Sequence, residues 1–516
     1  MAIKSSVMAT PFIRMLTTKL IITNRSALEQ KYGEPYQLIL DDLKALQARD
    51  NEKLLDTRII FLDDAAQMQS ANATPVTVYN DEAQCKQAID QLYRFYTPGY
   101  IVILGSQDIV PLQKLKNLLP GDHDPDAFIP SDLPYACDTP YDTDPGKFIS
   151  PTRVVGRIPD IPAVADVNYL RTLLSNIINA RPVAKEEYQS YFSISTYDWQ
   201  ESTRHSLLGI FGNHDKMLIS PGDNELTGTN WTTELFPKTH FINCHGAINN
   251  PGYYGQKLTD FPLILRSDVL ADKISPGTVV AAECCYGGQL FDPKKNGAKR
   301  MSIANSYLLN KALGFLGSSN IAYGPSTGQG LADLLTQFFL QNVLNGASTG
   351  RALLEARQKF LNEMGPTLDP FELKTAAQFN LLGDPSWQPV VNNMDPGVAE
   401  TREIFINTLQ NRRDNLEARG KMLDDFIHVP HPADTDEVDP SVHSAISQLL
   451  QEKQFTDKTL PKVFINRKKK YHQQAHSVKF HVFSEPAEHE GTPIRKVLVV
   501  KEKNNQILGY REYVSK

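Results

Sequence analysis

Short apolar runs alternate with amphipathic segments from residue 19 onwards. Runs at 19–23, 57–62 and 100–105 have the length of buried strands, and the segments 35–49 and 81–95 carry apolar residues at helical spacing. The run 100–105 has hardly any polar position, which is typical of a strand covered on both faces in a parallel sheet. Strands and helices in this alternation predict βαβ units with right-handed crossovers.

The same alternation returns after a loop-rich stretch and a predicted helix at 163–180. The later strands and helices are predicted from apolar periodicity and from glycines that follow the helical patterns. The strands lie at 191–198, 241–244, 278–284 and 314–317 with 321–324, and the helices lie at 330–344 and 348–363. The pattern therefore predicts two similar α/β units, at 18–185 and 186–392, preceded by a lead-in at 1–17.

The pattern changes after residue 392. A charged helix is predicted at 400–426 and an acidic, proline-containing linker at 430–440, so that 393–440 form a helix and linker. A second helix at 441–453 and strands at 477–484, 495–501 and 506–513, with a hairpin turn at Asn504-Asn505, predict a smaller α+β module at 441–516. The basic run 467–470 is either a solvated surface or a site of self-processing.

Composition narrows the class of protein. The chain is 41% apolar and 22% charged, as expected of a soluble globular protein, and its net charge of -6 argues against nucleic acid as a partner. No run approaches the roughly 18 apolar residues of a membrane helix, so no membrane partner is expected. The five cysteines lack the spacing of a disulfide framework, and 1–15 lack a sustained apolar core, which favours the cytoplasm. Nucleotide-binding glycine motifs are absent, and no cofactor is expected.

Candidate chemistry lies at the ends of two predicted strands. One strand ends in Cys244-His245-Gly246 and a later one ends in Cys284-Cys285 before a glycine turn. A thiol and an imidazole at neighbouring strand ends suggest a cysteine–histidine pair for nucleophilic catalysis. Two alternatives stay open: a cysteine after an apolar strand is often a small core residue, and the four side chains could bind zinc, although neither pair has the usual ligand spacing.

Several segments, in the same order, resemble caspase-fold cysteine peptidases and the gingipain family in particular. The resemblance includes the two strand ends above, and it extends over about 18–390. The other segments that carry it are 19–23, 100–105 with 109–111, 155–159, 315–318 with 322–324, and 380–385. It implies a caspase-like three-layer αβα fold with two α/β subdomains, of which the second is catalytic.

The resemblance also implies roles for individual residues. Cys285 is expected to be the nucleophile, His245 the catalytic histidine, and the backbone N–H groups of Gly246 and Cys285 the oxyanion hole. Cys284 corresponds to the small apolar residue that precedes the nucleophile in the family, although the doubled cysteine leaves the choice between Cys284 and Cys285 open by one residue.

Asp198, at the end of the strand 191–198, is expected from the resemblance to pair a basic P1 side chain in the substrate pocket; alternatively, it caps the following helix. Tyr323 either lines the same pocket or packs in the core. No metal-binding residues are expected.

These expectations describe a cysteine endopeptidase that cleaves a specific protein substrate after Arg or Lys, in bacterial defence or regulated cell death. The C-terminal module is expected to bind an activating or inhibitory protein partner. A catalytically inactive scaffold and a thiol-based transferase are the alternatives.

Overall fold

The computed structural model of the chain describes residues 17–222, 227–391, 400–434, 438–456, 460–468, 478–487 and 494–516. The predicted lead-in, apart from Thr17, lies outside these residues. So do 393–399 of the predicted helix-and-linker segment and 469–470 of the basic run.

Strands and helices alternate through the described residues up to 391. The strands are β1 Thr17–Thr23, β2 Leu55–Phe61, β3 Tyr100–Leu104, β4 Gln113–Lys116, β5 Phe128–Ser131, β6 Val155–Ile158, β7 Tyr191–Thr196, β8 Met217–Ser220, β9 Thr239–Asn243, β10 Gly252–Tyr254, β11 Leu263–Arg266, β12 Val279–Ala282, β13 Gly314–Ser318, β14 Tyr323–Pro325 and β15 Phe379–Gly383. The helices are α1 Arg25–Tyr32, α2 Tyr36–Glu52, α3 Ala65–Ser70, α4 Glu82–Tyr96, α5 Val167–Asn179, α6 Lys185–Gln189, α7 Gln200–Phe211, α8 Ile303–Leu309, α9 Leu331–Leu344, α10 Thr349–Met364 and α11 Pro370–Gln378.

Ten of these strands form one central sheet in the described part of the chain, in the order β2-β1-β3-β6-β15-β13-β12-β9-β7-β8. Neighbouring strands are parallel except at β15–β13, which are antiparallel. The sheet therefore consists of two parallel halves that meet in opposite directions, and the two α/β units predicted from the sequence share it. The predicted mixed α/β fold is confirmed, and it agrees with a caspase-like architecture.

Local sequence explains where the helices begin and end. Asp81, Asp166 and Ser348 each accept a hydrogen bond from the first turn of α4, α5 and α10. These side chains satisfy backbone N–H groups that have no partner within the helix. Asp369 and Glu372 form a reciprocal capping box at the start of α11. Helix α10 ends at Met364, directly before Gly365, as the glycine predicted.

A buried ion-pair network joins β1 to the residue that follows β15, which is the last strand of the central sheet along the chain. The Lys19 ammonium donates to Asp50 at 2.8 Å and to Asp384 at 2.6 Å, and all three side chains are buried. Asp50 belongs to α2 and Asp384 follows β15, so one cation connects three elements. Removing it would leave two carboxylates without a counter-charge in the interior.

We expect Lys19→Met to lower the free energy of unfolding by about 3–5 kcal/mol, because the two buried carboxylates lose their cation. The matched control is Lys44→Met: Lys44 pairs with Asp41 at 3.0 Å on the surface, where solvent screening leaves an ion pair with little effect on stability. Thermal or urea unfolding of the full chain measures both changes. Equal shifts in the two variants would contradict the role given to Lys19.

The C-terminal region forms a second sheet, to which the first body (the described residues up to 391) contributes the edge strand β14. Its elements are α12 Glu400–Phe426, β16 His428–Pro432, α13 Pro440–Glu452, β17 Lys462–Lys468, β18 Lys479–Ala487, β19 Ile494–Lys503 and β20 Gln506–Ser515. The sheet order is β14-β20-β19-β18-β17-β16, and each neighbouring pair is antiparallel. The hairpin turn predicted at Asn504-Asn505 is confirmed, with both residues at positive φ. Residues 428–432, however, form a strand where a linker was predicted to begin.

The two faces of this second sheet are both covered. Phe464, Val482 and Val497 belong to the same buried cluster as residues of α9, α10 and α11. On the opposite face, Leu498 and Val500 pack with residues of α13. The C-terminal module is thus packed onto the first body and continues its core. In the part of the chain that the structure describes, no helix is both long and apolar enough to cross a membrane.

Candidate active site

The ends of β9 and β12 lie side by side. The two strands are parallel, with Ala282 opposite Ile242, and the Glu283 N–H donates to the Ile242 carbonyl at 2.9 Å. His245 and Cys285 each lie three residues beyond these register partners. A Cβ built on Gly246 would collide with the carbonyl oxygen of Cys285. The structure therefore brings His245, Gly246 and Cys285 together at the carboxyl edge of the sheet, where α/β proteins bind ligands.

The two adjacent cysteines face opposite sides of the sheet. Cys284 packs with Cys244 in one buried cluster, whereas Cys285 belongs to the cluster that contains Tyr323 and Tyr513. The Cys285 thiol lies 3.4 Å from the Ala322 carbonyl oxygen. Burial raises the pKa of Cys285 to about 12, so the thiol is protonated in this state. Because the thiols point apart, one zinc ion cannot be held by both without a backbone change. The described residues contain no group of three or more potential ligands placed for a metal ion.

His245 is buried and neutral. Its Nε2 lies 2.6 Å from Gln256 Oε1, and its ring packs against Trp199 with centroids 4.4 Å apart. Burial lowers the pKa of His245 to about 4. An amide oxygen only accepts hydrogen bonds, so Nε2 carries the proton and Nδ1 is left as the basic nitrogen. Gln256 thereby fixes the tautomer that a general base requires.

The backbone of Lys516, the last residue of the printed sequence, is bonded beside the thiol. The Cys285 N–H donates to the Lys516 carbonyl oxygen at 2.8 Å, and the Lys516 N–H donates to the Ala322 carbonyl at 2.9 Å. The first bond uses one of the two N–H groups predicted for an oxyanion hole. A carbonyl group is thus held next to Cys285 by the donor that would stabilise negative charge on its oxygen.

The Lys516 side chain enters a buried acidic pocket. Its ammonium donates to Glu283 Oε2 at 2.6 Å, to Asn243 Oδ1 at 3.1 Å, and to Asp333. These residues come from β9, from the end of β12 and from α9. The ammonium also lies 5.4 Å from the centre of the Trp199 ring. All three donor positions of the ammonium therefore have an acceptor.

The charges in the pocket depend on one another. Burial raises the pKa of Glu283 well above its usual range, and the neighbouring Asp333 raises it further, while the Lys516 ammonium opposes both. Burial alone would lower the pKa of Lys516, but the carboxylates of Asp333 and Glu283 outweigh that effect and raise it. Two buried carboxylates without a cation would be costly, so the ammonium of Lys516 stabilises Glu283 and Asp333 in the interior.

Neighbouring residues fix the shape of the pocket. The Thr336 hydroxyl donates to Glu283 Oε1 at 3.0 Å, and the Asn243 amide donates to the Thr203 hydroxyl at 3.0 Å. A Cβ built on Gly324 would collide with the Lys516 side chain. Glycine at 324 therefore leaves the channel through which a lysine stem reaches the acids.

Asp198 and Tyr323, the two residues predicted for substrate binding, lie in different surroundings. Asp198 is exposed in the turn between β7 and α7, and the carboxylates that hold the ammonium are those of Glu283 and Asp333. Tyr323 is buried, with its ring 4.6 Å from that of Phe371, and its backbone pairs with Ser515. Tyr323 therefore packs in the core, and its role in substrate binding stays a prediction.

Sequence reasoning missed both pocket acids, although each has a recognisable signal. Glu283 is the single charged residue in 278–285, and Asp333 is the single charged residue in α9. A lone acid in an otherwise apolar buried element needs a partner, and here the partner is the ammonium of Lys516.

A comparison with known protein families finds a match in the part of the chain that contains His245 and Cys285. The sequence model of peptidase family C25, the gingipain family, matches residues 244–390. This part of the chain is therefore similar to a family of cysteine peptidases. The matched segment contains His245, Gly246, Glu283, Cys285 and Asp333, and it lies within the second half of the region in which the resemblance was seen. A search of the curated proteins finds no match.

Asn243 lies directly before the matched segment, and the whole C-terminal module lies after it. Lys516 is therefore outside the family's segment, yet its ammonium and backbone are bonded within that segment. The C-terminal module is thus in direct contact with the matched segment.

Proposed function

We propose that the chain is a cysteine endopeptidase that cleaves peptide bonds after lysine, with Cys285 as the nucleophile and His245 as the general base and acid. The observation that supports the proposal is the acidic pocket beside Cys285, which holds a lysine ammonium while the same residue's carbonyl accepts from the Cys285 N–H. Lys516 thus lies as a P1 residue would lie. The proposed P1 acids are Glu283 and Asp333.

The proposed reaction begins with a neutral thiol and a neutral imidazole. His245 Nδ1 takes the proton from Cys285 Sγ as the sulfur attacks the P1 carbonyl carbon. The carbonyl oxygen becomes an oxyanion, held by the Cys285 N–H and, in our assignment, by the Gly246 N–H. The amine leaves with the proton from His245, and a thioester remains on Cys285.

Water completes the cycle. It gives a proton to His245 and attacks the thioester, and the thiolate of Cys285 leaves and recovers that proton. Gln256 keeps the imidazole in the tautomer that both proton transfers use. Limited cleavage of a specific protein substrate remains part of the proposal, because the cleft is filled in this state and does not admit polypeptides indiscriminately.

We expect peptides with lysine at P1 to be cleaved with a kcat/KM about 10-fold or more above that of the matched arginine peptides. The ammonium of lysine has three donors for the three acceptors Asn243, Glu283 and Asp333, whereas a planar guanidinium is larger and presents its donors differently. Paired reporter peptides that differ only at P1 measure the ratio, and a glutamine peptide is the neutral control. A preference for arginine, or equal cleavage of the glutamine peptide, would contradict the proposed pocket.

A lysine-terminated covalent inhibitor tests the function as a whole. We expect it to modify Cys285 and to stop cleavage of the lysine peptides. Failure to modify Cys285 in both the full chain and its Lys516→Glu variant, in which the strand end is repelled from the pocket, would favour the inactive scaffold.

A further inference from the structure

We propose that residues 511–516, the end of β20 and the lysine that follows it, are a substrate-like inhibitor held in cis, which fills the cleft from P1 to P4 and reports the sequence that the enzyme prefers. The inference rests on the proposed function, since the positions are named relative to Cys285. It adds a regulatory role for the C-terminal module and a second specificity position for the substrate.

The backbone of β20 lies in the cleft as an added strand. It is antiparallel to β14, with Ser515 opposite Tyr323, Val514 opposite Gly324, and Tyr513 opposite Pro325. The Ser326 N–H also donates to the Glu512 carbonyl at 3.0 Å. Main-chain pairing of this kind is how many proteins bind extended peptides, because it gives affinity while side-chain pockets give specificity. A substrate that uses β14 has to displace β20.

Some side chains of residues 511–516 contact the body, whereas others contact only the C-terminal module itself. Lys516 fills the acidic pocket at P1. The Tyr513 hydroxyl, three residues earlier and thus at P4, donates to Asp369 Oδ2 at 2.7 Å, and the tyrosine is buried. The Ser515 hydroxyl accepts from the Arg495 N–H at 2.8 Å within the C-terminal sheet itself. We therefore expect specificity at P1 and P4, and little at P2.

A second ion pair holds the strand at its other end. The Arg511 guanidinium pairs with Glu372, the capping residue of α11. Burial raises the pKa of Glu372 to about 8, with Asp369 adding to this and Arg511 opposing it. The two acids that cap α11 therefore also bind Arg511 and Tyr513, at a distance along the strand from the acids that bind Lys516.

The rest of the module keeps the strand in position. β20 continues through a hairpin into β19, and the sheet packs on the body through Val497 and on α13 through Leu498. A ligand tethered in this way acts at a high effective concentration and competes with free peptides. Displacement of the strand end, by a protein that binds the module or by a cut within it, would open Cys285 to substrate.

Peptide binding to a chain without the proposed nucleophile tests whether residues 511–516 occupy the cleft. In the Cys285→Ala chain, we expect a fluorescent Tyr-Val-Ser-Lys peptide to bind weakly, and at least about 10-fold more tightly when Lys516→Glu is added, because a carboxylate is repelled by the acidic pocket. The matched control is Lys503→Glu, at the other end of the same hairpin, where Lys503 pairs with Gln506. It should leave binding unchanged. Fluorescence anisotropy measures all three chains, and a chain shortened to end at residue 511 repeats the test without a new charge.

Cleavage of reporter peptides then distinguishes a failure of the proposed inhibition from a failure of the proposed peptidase activity. With Cys285 present, Lys516→Glu should raise the kcat/KM for the Tyr-Val-Ser-Lys reporter at least about 10-fold, whereas Lys503→Glu should not. The Ala-Val-Ser-Lys reporter should be cleaved more slowly than the tyrosine peptide. If the peptide binds the displaced cleft but no variant cleaves it, the occupancy stands and the catalytic proposal fails. If the full chain binds and cleaves as well as Lys516→Glu and the shortened chain, the proposed inhibition is wrong.

Discussion

Cys285→Ala is expected to lower kcat/KM for lysine peptides by at least about 10³-fold, whereas Cys284→Ala retains most of the activity. Cys285 lies on the face of the sheet that carries the cleft, beside a bound carbonyl group. Cys284 lies on the opposite face, in the core with Cys244. Because both variants remove one buried thiol from neighbouring positions, each serves as the control for the other.

The measurement is steady-state cleavage in the full chain and in its Lys516→Glu variant, with thermal unfolding to check that each chain is folded. Cys284→Ala is expected to cost stability of about 1–3 kcal/mol through lost packing, without a loss of kcat. Retained cleavage in Cys285→Ala together with lost cleavage in Cys284→Ala would place the nucleophile one residue earlier.

Glu283→Gln and Asp333→Asn are each expected to reduce kcat/KM for lysine peptides by about 10²-fold, because each removes one charge of a buried, hydrogen-bonded pair. The substituted amides retain similar shape, so the loss reports charge rather than packing. The matched control is Asp198→Asn, the acid that the sequence suggested for this pocket. It is exposed, and we expect it to leave the preference for lysine unchanged.

Glu283→Gln and Asp333→Asn also weaken the ion pairs with Lys516. Peptide cleavage is therefore compared in the Lys516→Glu chain as well as in the full chain. A lysine, arginine and glutamine peptide series separates loss of binding from loss of charge selectivity. If Asp198→Asn abolished the preference for basic residues while Glu283→Gln left it intact, the assignment of the pocket acids would be wrong.

The sequence carried enough information for the sheet and for the position of the catalytic candidates. Parallel strands place their carboxyl ends at one edge, so the runs ending in His245 and Cys285 were expected to meet there. Strand β12 ends at Ala282, and beyond it Cys284 and Cys285 lie in different buried clusters. Which of the two faces the cleft depends on the packing of α9 and of the C-terminal sheet, which no local pattern specifies.

Local sequence patterns could not predict the two pocket acids or the segment that fills the cleft. Glu283 and Asp333 lie on different elements, and their convergence depends on how α9 packs against the end of β12. The pairing of β14 with β20 joins residues near 324 to residues near 514, and no sequence period links segments so far apart. β16 was missed for a related reason, since Pro430 and Pro432 suggested a linker although β16 is an edge strand, where proline is tolerated.

The central claim is that Cys285 is a nucleophile beside a pocket for lysine. Mass spectrometry of the chain after reaction with a Tyr-Val-Ser-Lys peptide that carries a thiol-reactive ketone tests it most directly. The account predicts a single adduct on Cys285, formed faster in Lys516→Glu than in the full chain and prevented by Glu283→Gln with Asp333→Asn. An adduct on Cys284, or equal labelling by the matched glutamine peptide, would contradict it.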